Sequence, residues 1–262
     1  PIDSTIPKAR GHSAEFPLGY RVIIPGENET NALAPATGFV STAADLATFF
    51  ASLDPAAKRS VLTPESRRAM QHKQWKDPHG GGPFDTHYGL GMIIGNSEDW
   101  AWAGHAGIFP SALSFTYMLP GRDLCFSILT NALYSPVISW ADGVLNILKV
   151  FGTNPLPNAQ TRLWKGRWWG MFQPQPRDLV PFGDRVLVAS PGQLDPFAGA
   201  DEITVTDKKL GFISLSGGYW SYGEDARLVM TKDSKVKEVW LGGFRMDSER
   251  KMKADLKRKY ET

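Results

Sequence analysis

The residues best placed to do chemistry stand in one run, Trp102-Ala103-Gly104-His105-Ala106-Gly107-Ile108, where small residues flank a single histidine. Imidazole can accept, donate or shuttle a proton near neutral pH, and glycines inside a strand mark places where a ligand or a second backbone comes close. The run therefore reads as a strand edge built to receive a substrate, with a satisfied strand histidine as the alternative. Ser234-Lys235-Val236-Lys237 matches the Ser-x-x-Lys pattern of a lysine-activated serine. It lies in a charged, turn-like stretch after the histidine strand, so it reads as a chance match. His79-Gly80-Gly81-Gly82 has the composition of an oxyanion loop, but no Gly-x-Ser-x-Gly elbow accompanies it, which leaves a surface loop.

Other chemistries find less support. His12, His72, His79 and His87 show no zinc-type spacing and no cysteine partners, so neither a metal nor another cofactor is expected. A net charge of +2 from 29 basic and 27 acidic residues is too balanced for a nucleic-acid partner, and the basic stretch from Arg250 to Lys259 reads as a solvated terminus. Cys125, the single cysteine, excludes an internal disulfide and reads as a small buried hydrophobe. No apolar run is long enough to span a bilayer, and Pro1-Ile2-Asp3-Ser4-Thr5 lacks the pattern of a signal peptide. The expectation is a soluble chain, cytoplasmic by default.

The elements that must position the histidine follow from periodicity. Ser41-Thr42-Ala43-Ala44-Asp45 places a hydroxyl cap before a carboxylate, and Leu46, Phe49, Phe50 and Leu53 follow at helical spacing, predicting a helix over 43–53. Thr63-Pro64-Glu65 opens a second helix running to about His72. Strands are predicted from Tyr88 to Gly95, Trp100 to Gly107, Ala112 to Leu119 and Leu124 to Asn131, the last two joined at Pro120-Gly121-Arg122-Asp123. Four strands with short links make an antiparallel meander, and apolar positions from Val137 to Leu148 predict a helix to about Phe151 that covers a sheet face. Past Gly152 the composition turns to short β-prone runs: 166–172, 185–189, 202–206, 211–215, 227–231 and 236–241. These suggest a barrel or sandwich, with Trp164, Trp168, Trp169, Trp220 and Trp240 as its core.

Several blocks in order carry a family resemblance: Pro35-Ala36-Thr37-Gly38-Phe39-Val40-Ser41-Thr42-Ala43-Ala44-Asp45-Leu46-Ala47, Tyr88-Gly89-Leu90-Gly91-Met92, Gly104-His105-Ala106-Gly107, Leu119-Pro120-Gly121-Arg122-Asp123 and Leu129-Thr130-Asn131. Together they resemble the second half of the serine β-lactamase, D-aminopeptidase and esterase superfamily. Leu163-Trp164-Lys165-Gly166-Arg167-Trp168-Trp169 and Val239-Trp240-Leu241-Gly242-Gly243-Phe244 resemble a lipocalin-like domain appended to D-aminopeptidase-type relatives. The resemblance implies an α+β fold: a partial β-lactamase/transpeptidase-like domain over 1–152, a linker over 153–160 and an all-β barrel over 161–262.

It also implies an acyl-enzyme chemistry in which a Ser-x-x-Lys serine attacks an acyl carbon and a Tyr-x-Asn tyrosine handles protons. Here only the third element of such a site stands, a strand with His105 in the motif's cationic or hydrogen-bonding position. Gly104, Ala106 and Gly107 would then lie along the substrate, and the backbone N–H of Ile108 would serve as an oxyanion donor. Histidine in place of lysine carries no fixed charge for a β-lactam carboxylate, which favours an esterase, amidase or peptidase role. The expected partners are a small-molecule or peptide acyl substrate and an N-terminal half bearing the nucleophile. The other reading is a non-catalytic homologue or a β-barrel binding module.

Overall fold

The computed structural model describes residues 7–25, 29–76, 86–97, 99–110, 112–153, 156–170, 175–193, 197 and 199–260. Two compact units divide between Ala141 and Asp142. In the first, α1 (Ala34–Thr37), α2 (Ala43–Ser52) and α3 (Pro64–Met70) precede a sheet of β1 (Trp75–Lys76), β2 (His87–Tyr88), β3 (Ile93–Ser97), β4 (Trp100–Phe109), β5 (Ala112–Leu119) and β6 (Leu124–Thr130). The six strands lie in chain order, each antiparallel to the next.

Hydrogen bonds at both ends of α2 fix the helix that covers this sheet. Thr42 Oγ1 accepts the Asp45 amide at 3.1 Å and donates to Asp45 Oδ2 at 2.9 Å, so one exposed turn supplies its own cap. At the other end, the buried Arg67 of α3 donates to the carbonyls of Ser52, Asp54 and Ala57, while Gln71 donates to Leu53 O at 2.9 Å. A cation and an amide thereby satisfy carbonyls that a helix end leaves unpaired. Anchored so, α2 lays Phe50 with the following Leu53 against Met92, Ala103, Met118 and Cys125.

Side chains alternate across a strand, so Ala103, His105 and Gly107 share the α2 face while Trp102, Gly104 and Ala106 share the other. That second face holds an aromatic cluster, with Trp102 edge-on to Tyr117 at 4.7 Å and Tyr117 at 5.5 Å from Phe126. The single strand expected from Tyr88 to Gly95 is two strands. Gly89 N–H donates to Met92 O at 2.8 Å and Gly91 adopts φ +74°, which turns the chain between them. A Cβ at Gly89 would stand 2.1 Å from Met70 O, so the turn passes α3 only because that residue is glycine.

The second unit is a closed antiparallel barrel of β7 (Gly166–Gly170), β8 (Pro176–Phe182), β9 (Arg185–Ala189), β10 (Asp201–Asp207), β11 (Leu210–Leu215), β12 (Asp225–Met230), β13 (Val236–Leu241) and β14 (Phe244–Asp247). Each strand pairs with the next, and β14 returns to β7 through Met246↔Gly170 and Asp247↔Trp169. The core gathers Trp164, Trp168 and Trp220 with Leu179, Val188 and Ile203. Trp169 alternates away from this core, and Trp240 is also outside it.

Strands β8 and β14 were not anticipated. Pro176 and Pro181 argue against a strand in sequence, and β14 has only four residues. The basic end is a helix, α5 (Glu249–Tyr260), with Met252 buried and Lys251 donating to the buried Asp247 at 2.8 Å. One apolar anchor and one ion pair thus hold a stretch whose composition alone reads as solvated. Helix α4 (Val137–Thr153) spans the division between the units and buries Val137, Ala141 and Leu145 four residues apart. Among the described residues no helix is long and apolar enough to cross a membrane.

Candidate active site

Strand β4 outruns its neighbour. β3 begins at Ile93, opposite Gly104, so among the described residues 105–109 pair only with β5 and leave their other edge open. His105 sits at the start of this open stretch, half-buried, with both ring nitrogens engaged. Nδ1 faces the Ala106 carbonyl, which can only accept, so Nδ1 carries a proton. Nε2 lies 2.8 Å from the Tyr88 hydroxyl, which donates to a bare Nε2 and accepts from a protonated one. The two rings meet edge to face at 5.8 Å. Tyr88 reaches this position because β2 pairs it with Ile93, the residue that faces Gly104, the neighbour of His105. Sequence reasoning missed Tyr88 as a site residue; its signal was the Tyr88-Gly89-Leu90-Gly91-Met92 block.

The glycines are explained first within the sheet. A Cβ at Gly104 would stand 1.8 Å from Thr116 O, and one at Gly107 would stand 2.4 Å from Ser114 Oγ. The close approach inferred at Gly104 is thus made by the backbone of β5. Further along, Gly107, Ile108 and Phe109 border an open groove of about 1060 Å³, whose other wall includes Leu46, Phe49 and Phe50. The Ile108 side chain is 75 % exposed. Gly104, His105 and Ala106 do not border this groove, so the expected site residues divide between the tyrosine-locked histidine and the groove rim.

The Ser-x-x-Lys matches occupy structural positions. Ser234 lies in the exposed turn between β12 and β13 at φ +59°, and Lys237, the lysine of the match, stands 3.4 Å from Glu238 Oε1. A second match, Ser248-Glu249-Arg250-Lys251, escaped sequence reading. Ser248 Oγ accepts the Lys251 amide as the cap of α5. Lys251 Nζ lies 2.8 Å from Asp247 Oδ1 and 3.7 Å from Glu238 Oε1. That lysine thus pairs with two carboxylates rather than with the Ser248 hydroxyl. Arg245 Nε stands 3.2 Å from Asp247 Oδ2, an ion-pair separation without hydrogen-bond alignment.

Burial pushes the Cys125 thiol up to about 11, which makes it a poor nucleophile. His79-Gly80-Gly81-Gly82 lies outside the described residues. Among those residues no three His, Cys, Asp or Glu side chains converge to hold a metal ion.

No curated protein matches the chain. Among solved structures it is similar to the octameric penicillin-binding protein homologue from Pyrococcus abyssi, at 20% identity and a TM-score of 0.44 over 92% of this chain and 53% of that one. It is also similar to SurE, at 20% identity and a TM-score of 0.42, over 91% of this chain and 55% of that one. The chain spans about half the length of each. The family model described as Beta-lactamase matches residues 3–149, more than half of the 262 residues, and the chain belongs to the β-lactamase family.

Proposed function

We propose that this chain supplies the substrate strand of a serine hydrolase of esterase, amidase or peptidase type. The observation that carries the reading is the open edge of β4 at 105–109, directly beside a histidine locked by Tyr88. An extended acyl substrate pairs along such an edge, as a strand does, with Ala106 and Gly107 alongside it, while Gly104 is taken by β3 and β5 on its two sides. The Ile108 N–H donates to the oxygen that becomes negative when a serine attacks the acyl carbon. In this arrangement His105 acts through hydrogen bonds and stiffens the edge, and the Tyr88 oxygen keeps lone pairs for a donor on the substrate.

The nucleophile comes from a segment bearing Ser-x-x-Lys and Tyr-x-Asn. This chain contains no Tyr-x-Asn, and its two Ser-x-x-Lys matches are a turn and a helix cap. The apolar groove beside Ile108 is where such a segment packs, since Phe49 and Leu129 are exposed on its walls.

A fluorophosphonate probe tests this directly. The 262-residue chain should not label alone, and should support labelling of a serine on a co-expressed segment encoded upstream. His105→Ala or Tyr88→Phe should then slow that labelling by about tenfold, the scale of one charge-free hydrogen-bond donor in such a site. Labelling of the isolated chain, or none in the reconstituted protein, would overturn the reading.

A further inference from the structure

The barrel has its own cavity, far in sequence from the β4 edge. A pocket of about 360 Å³ is lined by Gly170, Arg177, Tyr219, Trp220, Phe244 and Arg245, among others, and among the described residues no acidic side chain lines it. That volume lies within the range of small-molecule sites, about 300–1,000 Å³. Four of its ten lining residues are aromatic, Tyr219, Trp220, Trp240 and Phe244, and two carry guanidinium groups.

These two cations are not equivalent. Arg245 is held by the buried Asp247. Arg177 is half-buried and lies over the Tyr219 ring at 5.1 Å and the Trp220 ring at 5.9 Å. One Arg177 N–H is spent on Pro176 O at 3.1 Å. Among the described residues no carboxylate stands within ion-pair distance of it. Asp201, which feels the Arg177 charge, is buried and accepts the Gly217 amide at 2.7 Å. A guanidinium carries five donors in a planar fork that matches a carboxylate, and Arg177 lines the cavity with one of its donors on Pro176 O.

We infer that this pocket binds a small organic acid, with a single carboxylate on Arg177 and an apolar, preferably aromatic, body between Tyr219, Trp220 and Phe244. Arg177, which no carboxylate pairs among the described residues, sets the charge of the ligand. The volume and the rings set its size and character. The inference does not depend on the β4 site, since every lining residue belongs to the barrel unit.

The test titrates the full chain with 4-phenylbutyrate and, separately, with its neutral isostere 4-phenylbutyramide, followed by calorimetry and by tryptophan fluorescence. The acid should bind about tenfold more tightly than the amide, the difference expected of one charge-assisted hydrogen-bonded pair. Arg177→Gln should abolish that difference while leaving amide binding unchanged. Tyr219→Leu, at a position 51 % exposed and tolerant of change, should weaken acid and amide alike. Equal binding of acid and amide, a preference that survives Arg177→Gln, or no saturable binding of the acid would each overturn the inference and leave Arg177 as a structural stack on its rings.

Discussion

The sheet of the first unit ends in a two-residue strand, β1, and leaves β4 open beyond Gly104, whereas the eight strands of the second unit close on themselves. Unpaired strand edges attract further strands, and only closure removes them altogether. The exposed apolar side chains follow the same division. Phe49, Ile108 and Leu129 border the groove of the first unit, while the barrel turns Trp164, Trp168 and Trp220 inward. An open sheet is suited to receive a substrate or a covering segment. A closed barrel offers only its mouth.

Four substitutions break or sharpen this contrast. The largest effect belongs to Gly104→Ala, which sets a Cβ 1.8 Å from a backbone carbonyl that cannot yield without parting β4 from β5. Hydrogen exchange should show strands β3–β6 losing protection while β8–β13 keep theirs; loss in both would mean that the two units do not stand apart.

Trp164→Ala should do the reverse. It empties a fully buried position in the barrel core and costs about 3–5 kcal/mol, read as an earlier denaturant midpoint for the barrel alone.

Thr42→Ala removes the cap of α2 and should cost about 1 kcal/mol, with exchange rising first at Asp45 and Leu46 beside the groove.

The smallest change is expected of Asp201→Asn. Burial raises the Asp201 pKa above its ordinary value, so the contribution of this group is complete below about pH 4 and fades as pH rises through its folded pKa. The amide keeps an acceptor for Gly217 N–H without the charge. Barrel melting at pH 7 should therefore rise slightly, and its decline above pH 4 should flatten. A lower melting temperature at pH 7 would mean that the carboxylate is worth more charged than buried.

The helices and long strands were legible because their signals are local. Thr42 and Thr63 cap in structure as their spacing implies, and Gly121 at φ +74° turns the chain between β5 and β6 where the Pro-Gly-Arg-Asp run stands. What escaped depends on tertiary partners. β8 is set by its pairing with β7 and β9 and carries its prolines near its ends, Pro176 first and Pro181 next to last, and α5 needs Asp247 and a site for Met252 to hold a sequence that otherwise reads as tail. The same holds at the candidate site. His105 stands out in sequence, but the tyrosine that engages it is seventeen residues away and is brought near only by two strand pairings.

The barrel is stitched shut by two residue pairs between β14 and β7. Its strands otherwise run around the wall in the order in which they are synthesised. All other pairings are therefore between chain neighbours, and can form early as hairpins, while the seam must wait for the whole wall. Lys251, donating to Asp247 across the first turn of α5, fastens the seam strand after it has closed. Because Gly166 and Asp247 lie on adjacent strands, the ends of the wall are neighbours in space. New termini could be cut at another hairpin and the old ends joined by a short linker without changing the order of strands around the ring.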